Sequence, residues 1–398
     1  MRSATLLLAI LIAGCASTAP SKNVIKRLDG SRIEARELTS RIEELTKKAS
    51  VHGLAIAIFN DREIVYSRAF GVKRTDTGEP LRMDTVFYGA SLSKAVSAVL
   101  MMKLAEDGIL DLDAPLVSYL DRPIDTYKAS REKAWHEDLT DLKDDVLHKK
   151  ITARMCLSHT AGFPNWRWDE PDQKLRVRFE PGSRYSYSGE GFTFLQVVVE
   201  NLTHRSLEDW MREKIFEPYG MTTSSYTWQP RFEENYCHGH SETGEVLEKD
   251  KDNAARAAST LETTPEDYAR FLHAVLNRKG LTESSWNEMF SPRIRLRSKT
   301  QFLPLSAETT TDNDDIELSY GLGWGLLKTP HGWGAFKEGH GDGFEHYTIV
   351  FPESGMGVML LTNSANGESA FKELLEISIA DIYTPWEWQN YVPYNHPQ

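Results

Sequence analysis

Apolar residues recur at steps of three and four through "SRIEARELTSRIEELTKKAS". Ile33, Leu38, Ile42 and Leu45 share one side, charges fill the gaps, and the spacing predicts a helix. After Gly53 the pattern changes. "GLAIAIFN" reads as a buried strand, and "DREIVYSRAFGV" as its hairpin partner across the polar turn Asn60-Asp61-Arg62. From Ser91 to Leu104 the helical step returns in Leu92, Ala95, Val96, Val99, Leu100 and Leu104. Ala98, Met101 and Met102 widen its apolar face, so this helix is expected to be buried nearly all round. Residues 121–150 are dense in charge and read as a surface excursion. "KKITARMCLSHTAG" restores apolar periodicity, and helices such as "SLEDWMREKIF" and "TPEDYARFLHAVL" alternate with loops to about residue 310. The tail turns to strands, "SYGLGWGL", "EHYTIVFP" and "MGVMLLTN", and then to a last helix, "ESAFKELLEISIADIY". Strands at both ends with helices between them predict an α+β/α fold. One antiparallel sheet is built from the N- and C-terminal segments and flanked by helices (31–120 and 311–385), with a mostly helical domain (121–310) inserted.

Composition narrows the partners. The chain has 398 residues, 40% of them hydrophobic, and a formal net charge of −12. It is long enough for a substantial core, and without a basic run it is not expected to bind nucleic acid. The start stands apart. "MRSATLLLAILIAGC" has Arg2, an apolar run from Ala4 to Gly14, and then Cys15. That run falls short of the roughly 20 residues a spanning helix needs and reads as an export signal over 1–15. Ile12-Ala13-Gly14-Cys15 resembles the lipobox of bacterial lipoproteins, whose cysteine becomes lipidated and N-terminal. Plain secretion with cleavage near Ala16 or Ala19 is the alternative. Residues 16–30, beginning "ASTAPSKN", read as a tether, and the mature protein is expected in the bacterial envelope, anchored by lipid if Cys15 is modified. Cys156 has apolar neighbours and reads as a buried thiol; a pair with Cys237 stays open but would be no disulfide framework. Cys237, His238 and His240 match no standard zinc spacing.

Three serines stand three residues before a lysine: Ser91/Lys94, Ser130/Lys133 and Ser369/Lys372. Spacing does not separate them; surroundings do. Ser130 and Lys133 lie in a stretch polar on all sides, where nothing would desolvate the lysine. Ser369 opens the terminal helix as a helix-start residue. Ser91 follows strand-like "TVFYGA" and begins the buried helix, whose N-terminal amides favour negative charge on its oxygen. Lys94 shares its face, and burial favours the neutral amine a general base must be. A serine N-cap followed by a surface lysine fits this stretch alone equally well.

Further segments tip the balance. Ser-x-x-Lys at a buried helix start, "ITARMCLSHTAGFPNW", "PGSRYSYSGEGFTFLQ", "IFEPYGMTTSSY", "TLETTPEDYARFL", "YGLGWGL" and "GHGDGFEHYTIVFPESGMGVMLLTN" follow one another in order. Over about residues 31–385 the chain resembles the penicillin-recognising serine hydrolases, and within them the class C β-lactamase-like branch with its esterases, D-aminopeptidases and DD-carboxypeptidases. The resemblance implies a β-lactamase/DD-peptidase-like fold, Ser91 as nucleophile, Lys94 as its partner, and Tyr187 as the tyrosine of a Tyr-x-Asn motif. Gly189 stands where that motif has its amide-holding asparagine. His340-Gly341-Asp342 falls where Lys-Thr-Gly is expected, which makes His340 a substrate-binding residue and the N–H of Gly343 an oxyanion donor beside Ser91. The plainer alternatives are structural: Tyr187 packing with Tyr185 and Phe192, His340 and His159 as hydrogen-bonded loop residues, Trp166 and Trp168 as cover for the helical part.

The implied chemistry is acyl transfer on a small-molecule or peptide substrate. Ser91 attacks a carbonyl, Lys94 and Tyr187 relay its proton, and water hydrolyses the acyl-enzyme. No metal or cofactor is called for. With the asparagine and the lysine both missing, a carboxylesterase is expected ahead of a β-lactamase or D-amino-acid peptidase. A non-catalytic envelope-binding protein is the reading from another class.

Overall fold

The computed structural model describes residues 23–251, 253–302 and 305–396. Cys15 and the leader lie outside the described residues. In chain order, α1 (Ala35–Lys48) leads into β1 (Gly53–Asn60) and β2 (Glu63–Gly71). α2 (Leu92–Glu106), α3 (Gly189–Thr203) and α4 (Pro265–Leu276) follow. Then come β3 (Ile294–Arg295), β4 (Ser319–Tyr320), β5 (Gly325–Thr329), β6 (Gly332–Gly341), β7 (Phe344–Phe351) and β8 (Met356–Thr362), and α5 (Phe371–Ile379) closes. These strands form one antiparallel sheet in the order β2-β1-β8-β7-β6-β5-β4-β3. N- and C-terminal segments meet where β8 pairs with β1, Leu360 opposite Ile56.

Side-chain alternation along β1 divides two cores. Ala55, Ala57 and Phe59 face the core that contains α2 and the helical part, and the alanines let α2 approach closely. Leu54, Ile56 and Ile58 face the other core, under α1 and α5. The helix α2 is enclosed on all sides, as its sequence implies: from Leu92 to Met102 every side chain is buried, polar Ser93, Lys94 and Ser97 included. The α1 face of Leu38, Ile42 and Leu45 is buried on the sheet. The edge strand β2 keeps Glu63 and Arg68 in solvent, charges that discourage edge-to-edge pairing.

Five expectations change. Ile33 belongs not to α1 but to a short strand, Arg32–Glu34, paired with Val24–Lys26. The tether therefore ends before residue 24, because Ile25 and Leu28 are buried and the Leu28 N–H donates to the Ile379 carbonyl at 2.8 Å. Packing also continues past residue 385, with Trp388 and Tyr391 buried. Residues 121–150 are not a simple surface excursion, since Tyr127, Ala134, Leu139 and Leu142 are buried between charged neighbours, and the turn at Glu132–Glu137 packs on α3. Finally β6, "GWGAFKEGHG", is a central strand that its glycines and its Lys-Glu pair conceal from pattern reading.

Candidate active site

Ser91 sits at the N-cap of α2 on a tightly held turn. Ala90 before it has φ +45°, in the left-handed region that a residue with a Cβ seldom adopts. The segment around Leu261 fixes this turn. The Gly89 N–H donates to the Leu261 carbonyl at 2.7 Å, the Leu261 N–H donates to Ser93 Oγ at 3.0 Å, and the Ser93 hydroxyl donates to the Ala90 carbonyl.

One turn on, Lys94 is fully buried, with Nζ 3.0 Å from Ser91 Oγ and donating to the Ala258 carbonyl at 2.9 Å. The rings of Tyr187, Trp166 and Phe192 surround it, centred 4.8, 5.7 and 5.9 Å from Nζ. Burial, reinforced by the nearby Lys337 ammonium, holds Lys94 well below the usual lysine range, which favours the neutral amine a general base must be.

Tyr187 enters from the loop before α3 and is also buried. Its hydroxyl accepts a hydrogen bond from Lys337 Nζ at 3.1 Å. Burial raises the phenol; Lys337 and a hydrogen bond from Ser91 pull the other way without cancelling the rise. His159 lies beneath the ring at 4.3 Å, with Nδ1 accepting the Ser188 N–H at 3.1 Å, and burial holds the imidazole neutral. Tyr185 points elsewhere, onto Tyr320 and Trp388.

The third motif is displaced from its expected position. Lys337-Glu338-Gly339 on β6, three residues before His340-Gly341-Asp342, is the triplet beside Ser91. A Cβ on Gly339 would fall 3.0 Å from the Gly89 carbonyl oxygen and 3.3 Å from the Ser91 amide nitrogen, tighter than most Cβ contacts, so glycine eases the strand's close approach. Gly343 lies in the β6–β7 turn at φ +79°, where a Cβ would fall 2.5 Å from the His240 nitrogen. It packs against the loop of Gly239 and His240 rather than beside Ser91. The lysine read as missing is therefore present. Lys337 is fully buried against Glu338, with Nζ 2.8 Å from Oε1, and Gln301 Nε2 donates to the same oxygen at 2.7 Å. Burial alone would lower Lys337, but Glu338 and Tyr187 outweigh it and hold the ammonium above its ordinary range. Beyond Phe336, β6 has no β5 partner among the described residues.

His340 lines the pocket with its side chain partly exposed. Gly189 opens α3, and a Cβ there would fall 2.5 Å from the Trp166 indole, which fills the place a side chain would take. Trp166 stacks on Trp168 at 5.1 Å, and Trp135 meets Trp168 edge-on at 4.8 Å. These three tryptophans wall one side of a cavity of about 540 Å³ whose floor is Ser91 and Tyr187. Trp135 comes from the segment read as a surface excursion, and it went unread for that reason.

The competing serines are placed differently. Lys133 is 57% exposed and paired with Asp250; Lys372 is 39% exposed and paired with Glu376. Neither serine has a buried lysine beside it. Cys156 and Cys237 are buried free thiols. His238 and His240 each direct Nδ1 at a backbone carbonyl, of Leu247 and Asn363.

A buried lysine with its nitrogen at the hydroxyl of a serine on a buried helix start is an arrangement suited to serine acyl-transfer chemistry. The beta-lactamase family model matches residues 38–380, and the chain belongs to that family. Among curated relatives, penicillin-binding protein 4* of Bacillus subtilis is 24% identical over 329 residues, 74% of this chain and 64% of the relative. Lovastatin esterase of Penicillium rubens is 30% identical over 185 residues, 41% of this chain and 45% of the relative. The chain thus spans under two thirds of the length of both. The octameric penicillin-binding protein homologue from Pyrococcus abyssi superposes with a TM-score of 0.68 at 20% identity, covering 88% of this chain and 80% of that one, a likeness of fold.

Proposed function

We propose that the protein hydrolyses small carboxylic esters through an acyl-enzyme on Ser91. The observation that carries this is the 3.0 Å contact between Ser91 Oγ and a buried Lys94. Ser91 Oγ attacks the ester carbonyl while its proton moves to Lys94. The N–H groups of Ser91 and His340, on the strand held close by Gly339, receive the oxyanion. Tyr187, polarised by Lys337, protonates the departing alkoxide and recovers its proton from Lys94, so that the Ser91 proton leaves with the alcohol; a water activated by the same groups then hydrolyses the acyl-enzyme and releases the acid.

Two features support an ester over a β-lactam. Glu338 offsets the charge of Lys337, which weakens its attraction for a substrate carboxylate. Gly189 offers no side-chain amide, and the space is filled by Trp166. A hydrogen bond to a charged group is worth about 1.5–3 kcal/mol, or roughly ten- to a hundredfold in rate discrimination. The expected result is a higher kcat/KM for p-nitrophenyl acetate and butyrate than for nitrocefin. Nitrocefin turnover ahead by tenfold or more would make β-lactamase the reading. A peptidase is the second reading, favoured by the end of the β5 pairing at Phe336, past which an extended peptide can pair with β6 as a strand.

The leader motif supports export and a lipid anchor at Cys15. Two or three acyl chains hold a membrane far better than one, whose binding is marginal. Cys15→Ser is expected to move the protein to the soluble fraction or stall its processing; unchanged membrane fractionation would dismiss the anchor.

A further inference from the structure

At the mouth of the pocket, His340 meets two carboxylates from separate elements. Glu345 stands opposite it across the β6–β7 pair, and Glu368 comes from the helical turn Gly367–Ala370 ahead of α5. His340 Nε2 is 3.4 Å from Glu345 Oε2 and 3.3 Å from Glu368 Oε2, and the three atoms lie within 4.8 Å of one another. We propose that His340, Glu345 and Glu368 form a binding site for a divalent transition metal of the zinc class, beside the acyl-transfer centre.

Three observations carry the proposal. The first is the spacing. Charge-assisted hydrogen bonds close to about 2.7–2.9 Å, and neither contact does. Ligand atoms bonded at about 2.0–2.2 Å around a tetrahedral zinc stand about 3.3–3.6 Å apart, the separation both contacts show. The second is that Glu345 Oε2 is buried and has no hydrogen-bond partner among the described residues, although it is aimed at His340. A buried carboxylate oxygen without a donor is costly, and a cation supplies what is missing. The third is rigidity. The imidazole is held edge-on to Tyr391 at 5.7 Å and to Phe302 at 6.2 Å, and its ligand partner Glu345 is fixed by sheet register. One imidazole nitrogen with two carboxylate oxygens is a donor set suited to zinc. His340 and Glu368 line the same cavity as Ser91, so an open fourth position would face the substrate space. There a bound cation can take a water or an anionic oxygen of the substrate.

The test is equilibrium dialysis of untagged, full-length protein against zinc chloride near neutral pH, with bound metal counted by atomic emission. The expected result is one zinc per chain. Binding should weaken more than about a hundredfold in Glu345→Gln and again in Glu368→Gln, beyond the roughly ten- to hundredfold that loss of an outer hydrogen-bond partner costs. Both substitutions keep size and polarity, and circular dichroism with thermal melts confirms the fold. Wild-type protein that takes up no zinc would overturn the proposal. So would one equivalent retained undiminished by both folded variants, which would assign the metal to other histidines such as His238 or His240.

Discussion

Ser91→Ala is expected to abolish ester turnover and covalent labelling together. With the nucleophile gone, the oxyanion amides and the binding pocket persist, and the loss should be on the order of 10⁴-fold or more. Intact-protein mass spectrometry after exposure to a fluorophosphonate should show one adduct on the wild-type chain and none on Ser91→Ala. Ser130→Ala and Ser369→Ala should label like the wild type, because Lys133 and Lys372 are held as exposed, ion-paired ammonium groups. The contrast rests on Lys94. Lys94 is buried and drawn below its usual range, with its nitrogen 3.0 Å from the serine oxygen, whereas Lys133 and Lys372 are exposed and ion-paired. A Ser91→Ala protein that still turned over substrate would end the acyl-enzyme reading. An adduct that moved to Ser130 would show that solvent exposure, rather than lysine burial, selects the nucleophile.

Much of this arrangement was legible in the chain because its signals are local. The buried character of α2 follows from apolar residues on every side of one helix, and the sheet from runs such as "GLAIAIFN" and "MGVMLLTN". What escaped depends on tertiary context. β6 has four glycines and a Lys-Glu pair, a composition that reads as loop; burial between β7 and β5 makes it a strand. Missing β6 shifted the third motif to His340, when "FKEGHG" already contains a Lys-x-Gly triplet three residues earlier. Trp135 was hidden for the reverse reason. Its segment is charged, and only the fold shows that Ala134, Leu139 and Leu142 dip into the core and carry the indole to the pocket. Tyr187 and Tyr185 have equivalent positions in an extended segment, two apart. The structure separates them by what each meets, Lys337 in one case and Tyr320 in the other.

Lys337→Met is expected to cost stability and activity through separate causes, and the double variant Lys337→Met/Glu338→Gln separates them. Both partners of the ion pair are buried, at 0% and 1% exposure. Removing the lysine leaves a buried carboxylate with Gln301 as its remaining donor, a loss of about 3–5 kcal/mol that thermal melting would register as a lower Tm. Neutralising Glu338 as well removes the uncompensated charge, so most of that stability should return. The pair's contribution also has a pH signature. Glu338 is depressed below its ordinary 4.5, so its share is present above that value and lost as pH falls through its folded pKa. Lys337 is raised above its ordinary 10.5, so its share is full below that value and lost as pH rises through its folded pKa. Between these limits the wild type should exceed Lys337→Met in stability by a constant margin. Activity should not return in the double variant. Tyr187 loses the cation that favours its ionisation, and loss of a working general acid–base costs about 10²–10⁴ in rate. A double variant within threefold of wild-type kcat would reduce Lys337 to a structural residue and leave proton relay to Lys94 and Tyr187 alone. A single variant with unchanged Tm would mean that Glu338 is not held as a buried carboxylate, and the argument that it screens Lys337 from a substrate carboxylate would fall with it.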